Sequence, residues 1–492
     1  MKKIYITGYH PQKGSLLVQA LVFGSIAVVI IGGLVSWAGL NIKASRLALY
    51  REQALQIAES GIDYYRWHLA HAPTDYQDGT GTSTPSIRPF YDKDGNQIGT
   101  FTLTITPPQP GFTIVTVKST GRITDDPSVA RSITARFAIP SLAKYAVVSN
   151  DSLRFGEGTE VYGPIHSNGG IRFDGLAHNV ISSSRDVYDD PDHSGNNEFG
   201  VHTHVTLPSG SVNDTFRSAE APPNSVPARP DVFESGRQFP IPAVDFVGLT
   251  TDLASIKSGA QTSGRYFAAS GYQGYRVVFK TNDTFDLYRV TALQAVGNNC
   301  SNAQNQSGWG SWSIRTSGGG GQTLLGNYAI PSNGLIFLED NVWVDGQINT
   351  ARVTLAVGRF PDNPATRPSI TINANLLYTN YDGQDVISLI SQGNVNVGQY
   401  SANNLRIDAA LVAQNGRAGR YYYQTSCSDD SKTSLTLYGM IASSLRYGFA
   451  YTDGTGYDSR DIIYDANLLY GPPPSFPLTS DQYQIISWEE TR

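Results

Sequence analysis

The chain has 492 residues, of which 16% are charged, with 49 Gly, 28 Tyr and a formal net charge of −6. So sparse and balanced a charge excludes a dedicated nucleic-acid binder and a highly charged disordered tail. The Gly, Tyr, Asn, Ser and Thr content favours short strands and turns over a helical bundle, and two cysteines without close Cys or His pairs exclude a finger-type zinc site.

Residues 1–14, MKKIYITGYHPQKG, form a polar leader with Lys2, Lys3 and Lys13, and no acidic residue precedes Glu52. From Leu16 to Leu40 the chain is apolar except for Gln19, Ser25, Ser36 and small residues. As a helix this stretch is about 37 Å long, enough to cross a bilayer. Beyond it, Leu47, Tyr50, Ala54, Ala58, Ile62, Tyr65 and Leu69 recur at helical steps, and the first strong breaker is Pro73. One continuous helix over 15–72 is predicted, about 85 Å long. Its first half is expected in lipid, and its apolar stripe from Leu47 to Tyr65 packed on a sheet.

The leader ending Lys13-Gly14, followed by Ser15-Leu16-Leu17-Val18 and the apolar helix, resembles a type IV prepilin with its processing site. The stretch Gln53-Ala54-Leu55-Gln56-Ile57-Ala58-Glu59-Ser60-Gly61-Ile62 is similar to that of PilX-type minor pilins. The resemblance, confined to about 60 N-terminal residues, implies cleavage by a prepilin peptidase between Gly14 and Ser15. It implies packing against other pilin-like subunits through the helix, and a single-pass membrane protein whose ectodomain reaches the cell surface. One departure is Gln19, where most pilins carry the Glu that neutralises a neighbouring subunit's N-terminus. Such substitutions in the family belong to minor or tip subunits.

After a polar loop, Phe101, Leu103, Ile105, Val115, Val117, Ile133, Ala135 and Phe137 alternate. They predict a small antiparallel sheet within 73–140, closing a pilin-like module. Three later segments share an apolar-x-Gly-x-Ile-x-small pattern: Val161-Tyr162-Gly163-Pro164-Ile165-His166-Ser167, Val344-Asp345-Gly346-Gln347-Ile348-Asn349-Thr350 and Leu437-Tyr438-Gly439-Met440-Ile441-Ala442-Ser443. With the short strand runs after them, they suggest a parallel β-solenoid in two parts, 141–214 and 331–471. A β-sandwich is the competing arrangement. Between the parts, 215–330 opens with a Pro-rich linker and holds a hairpin, Tyr275–Lys280 and Thr284–Val290 around Thr281-Asn282-Asp283. Residues 472–492 are left as a C-terminal tail. The expected class is thus α+β, mostly β.

No nucleophile elbow, phosphate loop, HExxH or dinucleotide fingerprint is present. Candidate chemistry is confined to a few clusters. Asp190, Asp192, Ser194 and Asn196 place oxygen ligands as the start of a calcium loop does, although the twelfth position is Val201 rather than Glu. Asp92 to Asn96 is a weaker relative of it. His166, His178, His193, His202 and His204 crowd one region, and His202 with His204 would share one strand face, two ligands towards a metal site. Cys300 and Cys427 are the one possible disulfide, fitting an oxidising compartment. The alternative to a structural, adhesive role is a membrane-tethered β-solenoid enzyme or binding protein acting on polysaccharide, with Asp174, Asp345 and Asp408 as carboxylates and Trp309, Trp312, Tyr421, Tyr422 and Tyr423 as stacking surfaces. Nothing pairs these carboxylates, so no enzymatic activity, no cofactor beyond calcium and no nucleic-acid partner are expected.

Overall fold

The computed structural model describes residues 15–109, 111–206, 211–246, 248–480 and 482–491. The leader and Gly14 lie outside the described residues, as does the side chain of Ser15. The chain forms two compact units: one holds the residues through 107, 114–138 and those from 482, the other 108–113 and 139–481.

In the first unit α1 (Ser15–His71) is unbroken. Among the described residues it is the one helix long and apolar enough to cross a membrane, and none of them buries its apolar half. Strands β1 (Ser86–Tyr91), β2 (Gln97–Thr106), β3 (Val115–Ile123) and β4 (Ala130–Ala138) form an antiparallel meander. Burial alternates along β3 through Val115, Val117, Ser119, Gly121 and Ile123, the period-two signature of a half-covered sheet. The covering element is the polar half of α1, through Ala54, Ile57, Ala58, Ile62, Tyr65 and Leu69.

Two expectations are corrected here. Leu47 is exposed and Tyr50 only half-buried, so the contact begins one turn later than the apolar stripe does. Ile57, on the flank of the stripe, joins the core instead. Nor are the last residues a tail: β5 (Gln484–Thr491) pairs antiparallel with β4 as the fifth strand. The edge N–H and C=O groups of β4 need partners, and β5 supplies them.

The second unit is built mainly of short parallel strands stacked in register. One column runs Arg265–Phe267, Leu335–Leu338, Arg352–Val357, Val386–Ser391, 410–413 and 441–443. It continues from Ser443 to Val147–Ser149, then Ile165–Ser167 and Ile181–Ser183. The part early in sequence thus stacks on the end of the later part, and both share one apolar core that includes Val147, Ile165, Ile171, Leu355, Leu389, Leu411 and Ile441. The repeated glycine has a physical cause. Gly346 and Gly439 have φ of 111° and 146°, and a Cβ there would lie 2.2 Å from Phe279 O and 2.1 Å from Ala409 O. Only a residue without Cβ lets adjacent rungs close up at these corners.

The predicted hairpin forms, gains a third antiparallel strand in Gln322–Ala329, and is hydrogen-bonded in parallel to Val342–Gln347. Its buried face of Val277, Phe279, Phe285 and Leu287 needs cover, and the neighbouring rung provides it. Helix α2 (Gly248–Ser263) lays Leu253, Ile256 and Ala260 on the outer side of the column, against Leu335 and Phe337. Cys300 and Cys427 are joined in a disulfide with Cα atoms 4.8 Å apart. Beside it Trp309 Nε1 donates to Tyr422 O at 2.8 Å and Tyr423 Oη donates to Gly310 O at 2.7 Å, tying the Gly- and Asn-rich loop to the coil.

Candidate metal centre

Strands Val187–Tyr188 and Glu198–Phe199 form a hairpin of their own, and Val201–His202 pairs in parallel with Ile171–Phe173. Side chains alternate along a strand, so His202 and His204 point to one side of the backbone, towards the hairpin. The turn 189–197 carries Asp190 and His193 back to the same point. Asp190, His193, Glu198, His202 and His204 then offer ligand atoms that all lie within 4.8 Å of one another.

Glu198 is the hub. His193 Nε2 lies 2.7 Å and His202 Nε2 2.8 Å from its Oε2, and His204 Nε2 lies 3.2 Å from both oxygens. Asp190 Oδ2 stands 3.6 Å from His193 Nε2 and 3.5 Å from His202 Nε2. The side chains of Glu198, His202 and His204 are fully buried, and those of Asp190 and His193 are 2% and 1% exposed.

Buried polar atoms are normally satisfied, and several here are not. Among the described residues, Asp190 Oδ2, His193 Nδ1 and both ring nitrogens of His202 have no hydrogen-bond partner; His202 Nε2 lies 2.8 Å from Glu198 Oε2 without making a hydrogen bond to it. His204 Nδ1 donates to Asn213 O at 2.8 Å, and the backbone N–H of Arg217 donates to Glu198 Oε1 at 2.9 Å. Burial pushes the Glu198 carboxyl up, but contacts with His202 and His204 outweigh it and hold the group well below the usual carboxylate range. Burial likewise opposes ionisation of Asp190, yet His202, the Asp192 N–H and the charge of Arg172 hold it down at about 2.

The calcium loop expected from sequence is not assembled. Asp192 turns away to Arg446 Nη2 at 2.5 Å and Arg154 Nη1 at 3.3 Å, while Ser194 and Asn196 are exposed. Of that set only Asp190 enters the cluster, because its Oδ1 accepts the Asp192 N–H at 3.1 Å and bends the turn back. The weaker candidate Asp92 accepts from the backbone N–H groups of Asp94 and Asn96, an ordinary turn. Sequence reasoning passed over Glu198. The signal was available in the spacing Asp190-x2-His193-x4-Glu198-x3-His202-x-His204, but nothing in one dimension folds the turn onto the strand.

The other candidates are dispersed among local partners. Asp174 accepts from Arg172 Nε at 2.7 Å, Asp345 pairs with Arg276, and Asp408 pairs with Arg406 and accepts from Tyr381 Oη at 2.7 Å. Tyr421 and Tyr423 are buried and Trp309 and Trp312 half-buried, so these rings pack beside the disulfide instead of forming an open stacking surface. Next to the His and carboxylate cluster runs an open polar groove of ≈ 730 Å³, lined in part by Arg154, Asp192, Asp214, Arg446 and Arg460.

No family model matches the chain, and the search of curated proteins found no match. Among solved structures, the competence-associated pilin ComZ from Thermus thermophilus is similar at a TM-score of 0.27 and 12% identity, over 90% of this chain and 97% of that one.

Proposed function

We propose that this chain is a minor pilin-like subunit, PilX-type in its N-terminal region, of a type IV pilus or related surface filament. Its role is structural or adhesive rather than enzymatic. The observation that carries the reading is the single unbroken helix Ser15–His71. Its first half exposes Leu16, Leu17, Leu21, Phe23, Ile26 and Val29 to the surroundings, and its second half is the core of a four-stranded meander closed by β5. A helix apolar all round must be covered by lipid or by other helices. A subunit that is stored in a membrane and then bundled into a filament needs both coverings in turn.

In this reading a prepilin peptidase cuts between Gly14 and Ser15, the ectodomain lies outside the cytoplasm, and the helix meets other pilin-like subunits in the filament. Gln19, exposed one turn into the helix, carries no charge into that bundle, where an unpaired carboxylate would be costly. The disulfide Cys300–Cys427 accords with an oxidising compartment.

The test is the N-terminus of the protein recovered from surface filaments, read by mass spectrometry. Mature protein beginning at Ser15, and its loss in Gly14→Ala, is the expected result. Surface-assembled protein that still begins at Met1 would overturn the prepilin reading.

A further inference from the structure

We propose that Asp190, His193, Glu198, His202 and His204 form a closed structural site for a divalent transition metal of the zinc class, which fixes residues 186–206 and 211–217 on the parallel strands. The proposal does not rest on the filament reading.

The donor chemistry selects the metal class. Calcium and magnesium take oxygen ligands, whereas imidazole with carboxylate suits zinc and its first-row neighbours. Spacing agrees. Ligands about 2.0–2.1 Å from a tetrahedral metal stand roughly 3.3 Å from one another; the imidazole–carboxylate contacts here run from 2.7 to 3.6 Å, and all five ligand atoms lie within 4.8 Å of one another.

Proton placement is the sharper argument. Asn213 O can only accept, so the bond of 2.8 Å from His204 requires the proton on Nδ1. The Nε2 atom of neutral His204 is then a lone pair aimed at both oxygens of an ionised Glu198, 3.2 Å away. An acceptor facing an acceptor in a fully buried cluster is repulsive. Either protons or a cation must lie between them. Protons on the imidazoles do not answer this geometry, because Asp190 Oδ2 and His202 Nε2 make no hydrogen bond in it among the described residues. One divalent cation cancels Asp190 and Glu198, gives every Nε2 a partner, and removes the orphan status of Asp190 Oδ2 and His202 Nε2. The His204–Asn213 bond is the kind of outer contact that orients a metal-bound imidazole.

The burial of all five side chains leaves no open position for substrate, which marks a structural rather than a catalytic site. The local fold needs such a pin. The hairpin has strands of two residues each, far too short to hold themselves together. Asp192, Asn213 and Asp214 on the pinned segment line the polar groove, so the metal would also fix one wall of that groove.

The experiment uses the full chain in detergent, purified through a tag without histidine, with metal content measured directly. About one equivalent of zinc should be retained, a strong chelator should lower the unfolding temperature by roughly 5 °C, and protease should then cut within 186–206 or 211–217. Restoring stoichiometric zinc, but not calcium, should reverse both effects. Asp192→Asn should keep the metal, whereas Glu198→Gln should lose it. His202→Cys loaded with cobalt should show a thiolate charge-transfer band, which places residue 202 in the coordination sphere. Wild-type protein that neither retains nor takes up zinc at stoichiometric concentration would overturn the proposal. So would rescue by calcium that depends on Asp192, or a wild-type unfolding temperature that chelator and zinc leave unmoved.

Discussion

Gly121 sits on the helix-facing side of β3, where α1 and the sheet touch backbone to backbone. An added Cβ would stand 2.1 Å from Ala54 O and 2.6 Å from Ala58 N, while real Cβ atoms essentially never come under 3.0 Å. Neither neighbour is a flexible tip; both belong to the helix backbone, so Gly121→Ala must push helix and strand apart by ~1 Å, thinning the contacts of the whole face. Overpacking of this kind costs roughly 1–3 kcal/mol, and two backbone clashes put this case near the top of that range. The alanine returns about 0.5–1 kcal/mol through lower chain entropy in a strand. The net loss should be about 2 kcal/mol, or roughly 5–10 °C in the melting of the first unit. Tryptic cleavage at Lys118 and Arg122, followed against temperature in the full chain, reads that unit directly. Gly33→Ala is the control: a Cβ there meets nothing within 4 Å, and cleavage in β3 should not move. An unchanged or higher protection temperature in Gly121→Ala would show that the helix does not lie this close to the sheet.

Two further outcomes follow from the second unit. The disulfide closes a loop spanning 127 residues, worth about 4–5 kcal/mol in the chain-entropy model; Cys300→Ser should lower the urea midpoint accordingly, and an equal midpoint for oxidised and reduced wild type would refute it. Asp465 is a buried carboxyl whose pKa burial raises from 3.8, while its Oδ1 accepts from Asn467 N and Tyr438 Oη. Its protonated form is the favoured one in the fold, so its contribution is full below pH 3.8 and lost as pH rises through the raised value. Asp465→Asn, which cannot ionise, should therefore gain stability over wild type as pH rises from about 3 to 7; a difference flat across that range would refute the assignment.

The helix and the small sheet were legible because each obeys one period over many residues. Ala54, Ala58, Ile62, Tyr65 and Leu69 were read correctly at helical steps, as were Phe101, Leu103, Val115 and Val117 at steps of two. The limit of the contact was not, because Leu47 is as apolar as Ile62 and only the reach of the sheet decides which is covered. Gly346 and Gly439 disclosed the rung corners, since a positive φ leaves a mark in residue choice. That Ser443 is followed in space by Val147 left no mark, because stacking order is not a local property. At the site, His202 and His204 were visible as a same-face pair. The acidic turn was misread because Asp192, Ser194 and Asn196 have the chemistry of calcium ligands, and only tertiary partners such as Arg446 reveal that Asp192 is already engaged.

The return of β5 to β4 has a consequence for biogenesis. These two neighbours in the sheet are separated in sequence by the whole of 139–481. A chain emerging from a ribosome or a translocation channel can fold β1 to β4 early, but the outer edge of β4 stays open until the long intervening segment has passed. During that interval its unpaired backbone groups invite strands from other copies. The order of emergence therefore sets a waiting period, and a chain truncated before Gln484 would never leave it. The small sheet thereby acts as a completeness check: only a chain made through its last strand closes the module.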